Sequence, residues 1–346
     1  MSNKKVMIAM SGGVDSSVAA FLLNNRGFDC LGATMSLFEK ESTDIEDAKS
    51  ICDKIGFPFR VFDFSKEFKN FVIDEFVKAY TLGKTPNPCI FCNKNLKFSE
   101  MLKKADEYDC DYLATGHYAR VEFDEASGKY QLKKAADPLK DQSYVLYMLT
   151  QDQLKRIIFP LGAFSKSQIR EIAEEHGFVT AHKSDSQDIC FIPDGDYAAY
   201  IEKQLGRGFP QGDFVLCDGT VLGKHKGIIN YTLGQRKGLG IAYTKPLFVL
   251  EIDIENNKVV LGDNEDLFTD TLQAKNVNII SGEDFRTPTR CKAKVRYKHI
   301  EQDATAFIDE SGILNVKFDA PQRAITKGQA VVLYDGDVVL GGGEII

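Results

Sequence analysis

No apolar run in this 346-residue chain approaches the roughly 20 residues that a membrane-spanning helix requires, so a membrane protein is not expected. The opening Met1-Ser2-Asn3-Lys4-Lys5 leads into only five apolar residues before Ser11 and Gly12, too few for a secretory signal. The expectation is a cytosolic protein. Internal repeats and low-complexity stretches are absent as well. Without a secretory signal, the eight cysteines are expected as reduced thiols, not as a disulfide framework. Cys30, Cys52, Cys110, Cys217 and Cys291 read as small buried hydrophobes. Cys89-x-x-Cys92 has no second pair and no Cys/His cluster at zinc spacing to complete a zinc site. An excess of positive charge is missing too. The net charge of −7 opposes a nucleic-acid partner on average, although phosphate contacts need only a local basic surface.

What is present suffices for real cores: 43% hydrophobic and 11% aromatic residues, in a chain long enough for two or three domains. The first half alternates strand-like and helix-like runs. Val6–Met10, Cys30–Met35, Phe59–Phe64 and Tyr112–Thr115 read as strands; Ser16–Asn25, Asp44–Ile55, Lys66–Tyr80 and Asn93 to about Glu107 read as helices. Such alternation predicts an α/β fold, a parallel nucleotide-binding sheet with helices on both faces, with ligands at the carboxyl ends of the strands. A further helix is punctuated by Ser165 as cap, Gln168 completing a capping box, and Gly177 as terminator. After about Glu202 the pattern changes to strand runs with Gly and Asp-Gly turns, among them Leu247–Ile254, Lys258–Leu261, Arg290–Tyr297, Ala304–Ile308, Ile313–Phe318 and Ala330–Leu333. We expect a catalytic domain over 1–202, a small β-rich linking domain over 203–270 and a carboxy-terminal β-barrel over 271–346.

Ser11-Gly12-Gly13-Val14-Asp15-Ser16 follows the first strand and opens the first helix. Two glycines let the backbone approach an anion, and the free N–H groups of a helix start point at it. A plain strand-to-helix turn capped by Ser11 or Asp15 is the alternative. The loop lacks the Lys-Ser/Thr pair of Walker A. As a whole it resembles the pyrophosphate loop of enzymes that adenylate a substrate, such as GMP synthetase, argininosuccinate synthetase and the tRNA thiolases.

Thr85-Pro86-Asn87-Pro88-Cys89-Ile90-Phe91-Cys92-Asn93-Lys94 joins a rigid loop to a helix start expected at Asn93. A thiol at a helix amino terminus, next to Lys94, should have a lowered pKa, which places Cys92 as a nucleophile. Cys190 lies where the polar Ser184–Asp188 turns into apolar Phe191-Ile192. Farther on, Arg290, Lys292, Lys294, Arg296 and Lys298 fall at every second position. On a strand they share one face, with Cys291, Ala293, Val295 and Tyr297 on the other. Five cations without an acid among them favour an anionic partner; a merely solvated face is the alternative. Lys224, Lys226, Arg236 and Lys237 add cations in the middle of the chain.

Asn-Pro-x-x-x-Cys-Asn-Lys together with Asp-Ser-x-x-Ile-Cys-Phe-Ile resembles the two cysteine segments of the tRNA-specific 2-thiouridylases. Ala114–Arg120, Lys140–Tyr144, Tyr231–Gly240 and Leu340–Gly343 extend the similarity over nearly the whole chain. The resemblance implies ATP held by Ala9, Met10, Ser11, Gly12, Gly13, Val14, Asp15, Ser16, Met35 and Gly116, with Mg2+ on the phosphates. ATP would adenylate O2 of a wobble uridine. Cys190 would carry sulfur as a persulfide from a donor, and Cys92 would release it, leaving a Cys92–Cys190 disulfide bond. Asn87, Pro88 and Cys89 would contact the extruded base, and His117, Lys140, Asp141, Gln142, Arg296, Tyr297 and Gln329 the tRNA. Many family members carry Asp where this chain has Cys89. Cys89, Cys92 and Cys190 therefore also supply three thiolates for a [4Fe–4S] cluster, and both routes stay open. The expected assembly is a monomer with its tRNA.

Overall fold

The computed structural model describes residues 4–37, 43–183 and 189–346; the expected polar segment Ser184–Asp188 lies outside them. The strands β1 (Lys5–Ala9), β2 (Asp29–Ser36), β3 (Phe59–Asp63) and β4 (Tyr112–Thr115) are followed by a hairpin, β5 (Ala119–Asp124) and β6 (Lys129–Lys134), and by the short β7 (Ile157–Ile158). Five of them form a parallel sheet in the order β3-β2-β1-β4-β7. Side chains alternate across it as a period of two demands. Met7, Leu31, Ala33, Phe62 and Leu113 pack against the helical stretches 65–81 and 88–107. Val6, Ile8, Cys30 and Ala114 pack against α1 (Val14–Asn25), α2 (Thr43–Ile55) and the helix Lys166–Glu175. Burial of both faces explains why Val6–Met10 reads as an unbroken apolar run. The chain leaves β1 toward β2 and returns on the other side as β4, so the strand order switches between β1 and β4, where ligands of open α/β sheets bind.

The second sheet, β10-β11-β8-β9, holds β8 (Gly212–Leu216), β9 (Val221–His225), β10 (Phe248–Asp253) and β11 (Lys258–Gly262). Six further strands follow: β12 (Phe268–Ile279), β13 (Thr289–Lys294), β14 (Gln302–Ile308), β15 (Leu314–Arg323), β16 (Ala330–Asp335) and β17 (Val338–Ile345). They run β12-β15-β14-β13-β16-β17, and β17 pairs back onto β12, closing a barrel. Closure explains the glycine run near the end of the chain: a Cβ on Gly341 would sit 2.2 Å from Asn278 O, and one on Gly342 2.3 Å from Val331 O. Among the described residues no helix is long and apolar enough to cross a membrane.

The capping box Ser165/Gln168 and the left-handed Gly177 appear where expected. Cys217, expected buried, is instead exposed just past β8. Three further features differ. The helix expected from Asn93 starts at Pro88, because Asn87 accepts the Cys89 N–H at 3.1 Å as an N-cap and proline suits the first helical position. The strand expected to reach Tyr297 stops at Lys294, where Arg296 turns aside and donates to Thr326 Oγ1 at 2.6 Å and to Ala324 O. The hairpin β5–β6, for which no strands were expected, joins the first domain to the barrel. Val338 pairs with Lys133, Lys134 reaches Glu301 at 2.6 Å, and Arg120 bridges to Asp337.

Candidate active site

The phosphate loop is held from three sides. Gly12 has φ +68°, and a Cβ there would lie 2.3 Å from Asp44 O. Lys183 bridges Gly12 O at 3.0 Å, Asp44 at 2.5 Å and Asp47 at 2.9 Å; burial lowers its pKa, but the two carboxylates outweigh that and leave it raised. Thr34 Oγ1 donates to Met10 O at 2.7 Å. Gly13 precedes α1 in an extended conformation, and no side chain caps the helix start. Ser16 and Ser17 turn their hydroxyls back onto Gly13 O, at 3.1 and 2.9 Å, instead of capping. The first N–H groups of a 12-residue helix are therefore left for an anion.

Asp15 is not the cap that sequence offered as an alternative. Its carboxylate takes Lys166 Nζ at 2.8 Å on both oxygens and Tyr118 Oη at 2.6 Å. Gly116, at the end of β4, packs so closely on this turn that a Cβ would stand 2.9 Å from Asp15 C and Ser16 N. Ala9, Met10, Met35 and Gly116 thus lie at the ends of three adjacent strands.

His117, the next residue, turns the other way. It is buried, hydrogen-bonded to Thr115 Oγ1 at 2.7 Å, and packed by Phe98 and Phe159. Burial, with help from Lys97, pushes its pKa well below the usual imidazole value, so it stays neutral. Lys97 also acts on both thiols singled out from sequence. Cys92 is buried, and desolvation raises its pKa against the lowering pull of Lys97. Cys190 is reached by solvent yet crowded by its surroundings. Desolvation first, then Cys92 and Cys89, push its thiol up to about 11, again opposed by Lys97.

The expected lowered pKa of Cys92 is therefore corrected. Since the helix begins at Pro88, Cys89 occupies its first turn, while Cys92 lies a turn further in and under cover. The nearby cation is Lys97, not the exposed Lys94. Asn93–Glu100 is π-helical, and Lys97 on this wider winding is close enough to act on Cys92. Sequence periodicity carries no signal for such a segment.

Cys89, Cys92 and Cys190 are close enough to influence one another. As placed, however, no three His, Cys, Asp or Glu side chains among the described residues gather around a point that could hold a metal ion. The thiols do not fit a cluster in this arrangement.

The residues expected to touch RNA lie in three further places. Asn87, Pro88 and Cys89 open a helix that follows a loop clamped to the barrel: Thr85 N donates to Lys327 O at 2.9 Å, Gln329 Nε2 to Thr85 O at 2.6 Å, and Lys84 pairs with Glu344 at 2.9 Å. Lys140, Asp141 and Gln142 form the turn before Tyr144. There Asp141 accepts from Ala135 N, Ser143 N and Ser143 Oγ, and Gln142 exchanges two bonds with the Tyr118 backbone. The alternating cationic face holds only up to Val295. Arg290 pairs with Asp319 at 2.7 Å, and Lys294 lies 5.9 and 5.8 Å from the ring centres of Tyr144 and Tyr297. Tyr297, expected in the barrel core, is instead half-buried on the same side as Lys294, facing Tyr144.

An uncapped phosphate loop at the switch point of a parallel sheet, followed by a second small sheet and a closed barrel, defines a pyrophosphate-loop α/β protein of three modules. Residues 4–194 match the tRNA methyl transferase HUP domain family, 198–263 the tRNA methyl transferase PRC-barrel domain and 269–345 the aminomethyltransferase β-barrel domain. The chain is 51% identical over 354 aligned positions to the tRNA-specific 2-thiouridylase MnmA of Clostridioides difficile (strain 630), covering 99% of this chain and 98% of that protein. To MnmA 1 of Thermoanaerobacter sp. (strain X514) it is 50% identical over 356 positions, covering 99% and 98%. To MnmA of Acetivibrio thermocellus it is 48% identical over 358 positions, covering all of both chains. The chain belongs to the tRNA-specific 2-thiouridylase family.

Proposed function

We propose that this protein uses ATP to replace O2 of a wobble uridine in tRNA with sulfur. The observation that carries the reading is the pairing, in one family member, of an open phosphate loop with two coupled free thiols on either side of the Thr115-Gly116-His117 strand end. Gly116 touches the loop, and His117 shares the field of Lys97 with Cys92 and Cys190.

The steps follow from the chemistry of each group. The loop over Ala9–Ser16, with Met35 and Gly116, grips ATP, and the open N–H groups of α1 take the phosphate charge. Mg2+ would come with the nucleotide and neutralise its phosphates, the loop's own carboxylate, Asp15, being engaged by Lys166 and Tyr118. Uridine O2 attacks the α-phosphorus and pyrophosphate leaves, so a poor leaving group becomes AMP.

Cys190, the accessible thiol, takes sulfur from a donor as a persulfide. Its terminal sulfur attacks C2 of the uridine, and Cys92 then attacks the inner sulfur of Cys190. The persulfide S–S bond breaks, a Cys92–Cys190 disulfide forms, and AMP departs with the original oxygen. An external dithiol returns both cysteines to thiols. Burial holds Cys92 protonated and unreactive until needed, while Lys97 offsets part of that cost.

Asn87, Pro88 and Cys89 would receive the extruded base, with His117 behind it, and Lys140, Asp141, Gln142, Arg296, Tyr297 and Gln329 would meet the tRNA. We keep the division into a catalytic domain (1–202), a linking domain (203–270) and a tRNA-binding barrel (271–346). The cluster alternative requires Cys89, Cys92 and Cys190 to converge on iron, which the arrangement of the thiols does not favour.

Iron and acid-labile sulfide after oxygen-free purification, measured beside thiolation activity, test the route. Iron-free protein that is active with a persulfide donor supports it. Loss of iron and activity together in Cys89→Ser would overturn it.

A further inference from the structure

The loop Ser11–Ser16 has one carboxylate, Asp15, and no cation of its own. A polyphosphate seated on it brings several negative charges, which the open N–H groups of α1 offset only in part. Two lysines from later in the chain reach the loop, and their surroundings differ. Lys183 is committed to Asp44, Asp47 and Gly12 O, and it fixes the loop's shape. Lys166 lies instead on the loop's own acid, its Nζ 2.8 Å from both oxygens of Asp15. We propose that Lys166 is a catalytic residue of the ATP step, its ammonium passing from Asp15 to the phosphates and stabilising pyrophosphate as it leaves. The proposal rests on the ATP reading above and adds a residue to it.

The placement of Lys166 runs against local preference. It is the first residue of the helix Lys166–Glu175, whose first turn holds no acid. A cation there is opposed by the helix dipole, which favours acids at that end. A break of this kind is expected where a charge serves a site.

The root of the side chain is fixed beside the loop. Lys166 N donates to Asp137 Oδ2 at 3.2 Å, and the capping box of Ser165 and Gln168 sets the first turn. Ile169 and Ala173 pack in the same core as Val14 and Val18 of α1. The lysine side chain is only 12% exposed, and its Nζ lies 5.9 Å from the ring centre of Tyr118. The four-carbon stem still lets Nζ travel from one anion to another.

Asp15 can release the ammonium without being left bare, because Tyr118 Oη also donates to it at 2.6 Å. At equal contact distance a phosphate chain attracts an ammonium more strongly than a single carboxylate does, since it carries more charge.

The bond changes show what the cation does. As uridine O2 bonds to the α-phosphorus, the bond from that phosphorus to the bridging oxygen breaks. Its electron pair stays on pyrophosphate, and the uridine gives up its N3 proton to water. Lys166 keeps its own protons and donates hydrogen bonds to the oxygens on which the charge collects.

The test uses the full-length protein and measures single-turnover, tRNA-dependent pyrophosphate release together with equilibrium binding of inorganic pyrophosphate and of tRNA. Lys166→Met should slow release by roughly 100- to 1,000-fold and weaken pyrophosphate binding by about 10-fold or more. Lys166→Arg, which keeps the charge, should lose less in both. Unchanged tRNA affinity in each variant shows that the fold is intact. Asp15→Asn separates a phosphate contact from mere neutralisation of the acid. In that background Lys166→Met should still weaken pyrophosphate binding by about 10-fold, as for two independent contributions. Two results would overturn the proposal: Lys166→Met releases pyrophosphate at the wild-type rate, or it costs no further binding on top of Asp15→Asn. If pyrophosphate binding depends on Lys166 in both backgrounds but ATP supports no thiolation, Lys166 stands and the sulfur-transfer reading falls.

Discussion

The phosphate loop and the thiol site are a few residues apart across the end of β4, yet they are built in opposite ways. The loop is local: six consecutive residues, one strand before and one helix after, with its shape fixed by Gly12 against Asp44 and by Lys183 across both. The thiol site is assembled from segments about a hundred residues apart, and its electrostatics depend on a π-helical turn and on Lys97. A rigid anion cradle can be encoded in one stretch because backbone N–H groups do the binding. Two thiols on segments so far apart in the chain can be brought together only by the tertiary fold.

If the two regions divide the chemistry as proposed, they fail separately. The largest effects fall on the thiols. Cys92→Ser and Cys190→Ser should each eliminate thiolation while leaving tRNA-dependent pyrophosphate release intact, because adenylation precedes their steps. Quantifying 2-thiouridine and pyrophosphate in the same reaction checks this, and loss of both products would merge the two regions into one. Cys89→Ser should cost no more than the roughly 1–3 kcal/mol of a base contact.

Gly12→Ala forces a methyl onto Asp44 O and should lower pyrophosphate release on the order of 100-fold, as expected when a reacting group is displaced by about an ångström. Its tRNA affinity should stay near wild type. Arg296→Ala should weaken tRNA binding and reduce the salt slope of log K by about one. It also removes the bonds to Ala324 and Thr326, so a melting curve should fall with it.

The smallest effect is a titration. Cys190, at about 11 in the fold, should be alkylated slowly at pH 8, with a rate that climbs about tenfold per pH unit up to that value. Lys97→Met removes a cation that favours the thiolate and should move the profile higher, whereas Lys97→Arg should not. An unchanged profile in Lys97→Met would detach Lys97 from the site. Because the folded value lies above the ordinary thiol value of 9.0, the unfolded chain ionises first. Stability from this group is full below pH 9 and is lost as pH rises toward 11.

The same contrast explains what sequence discloses. Val6–Met10 with its glycine turn, the strand Tyr112–Thr115 and the Ser165/Gln168 cap are all visible because period, cap and terminator act within a few residues. The start of the cysteine helix is also encoded, in Asn87-Pro88 as cap and first residue, one turn before the Asn93 start expected from the sequence. Nothing local marks Lys97, since helical periodicity assumes 3.6 residues per turn and the segment winds wider. The even cationic pattern of Arg290–Lys298 misleads after Val295, because the turn at Arg296 is set by the distant Ala324–Thr326. The hairpin β5–β6 likewise owes its place to pairing with β17, two hundred residues on.

The central claim is that ATP activates the uridine and a persulfide supplies the sulfur. It is tested most directly by incubating the purified protein with unmodified tRNA transcript and analysing digested nucleosides by mass spectrometry, with ATP and a persulfide donor added singly and together. The account predicts 2-thiouridine at the wobble position only when both are present, with one AMP formed per sulfur. Thiolation without ATP, or a methylated nucleoside in place of a thiolated one, would contradict it.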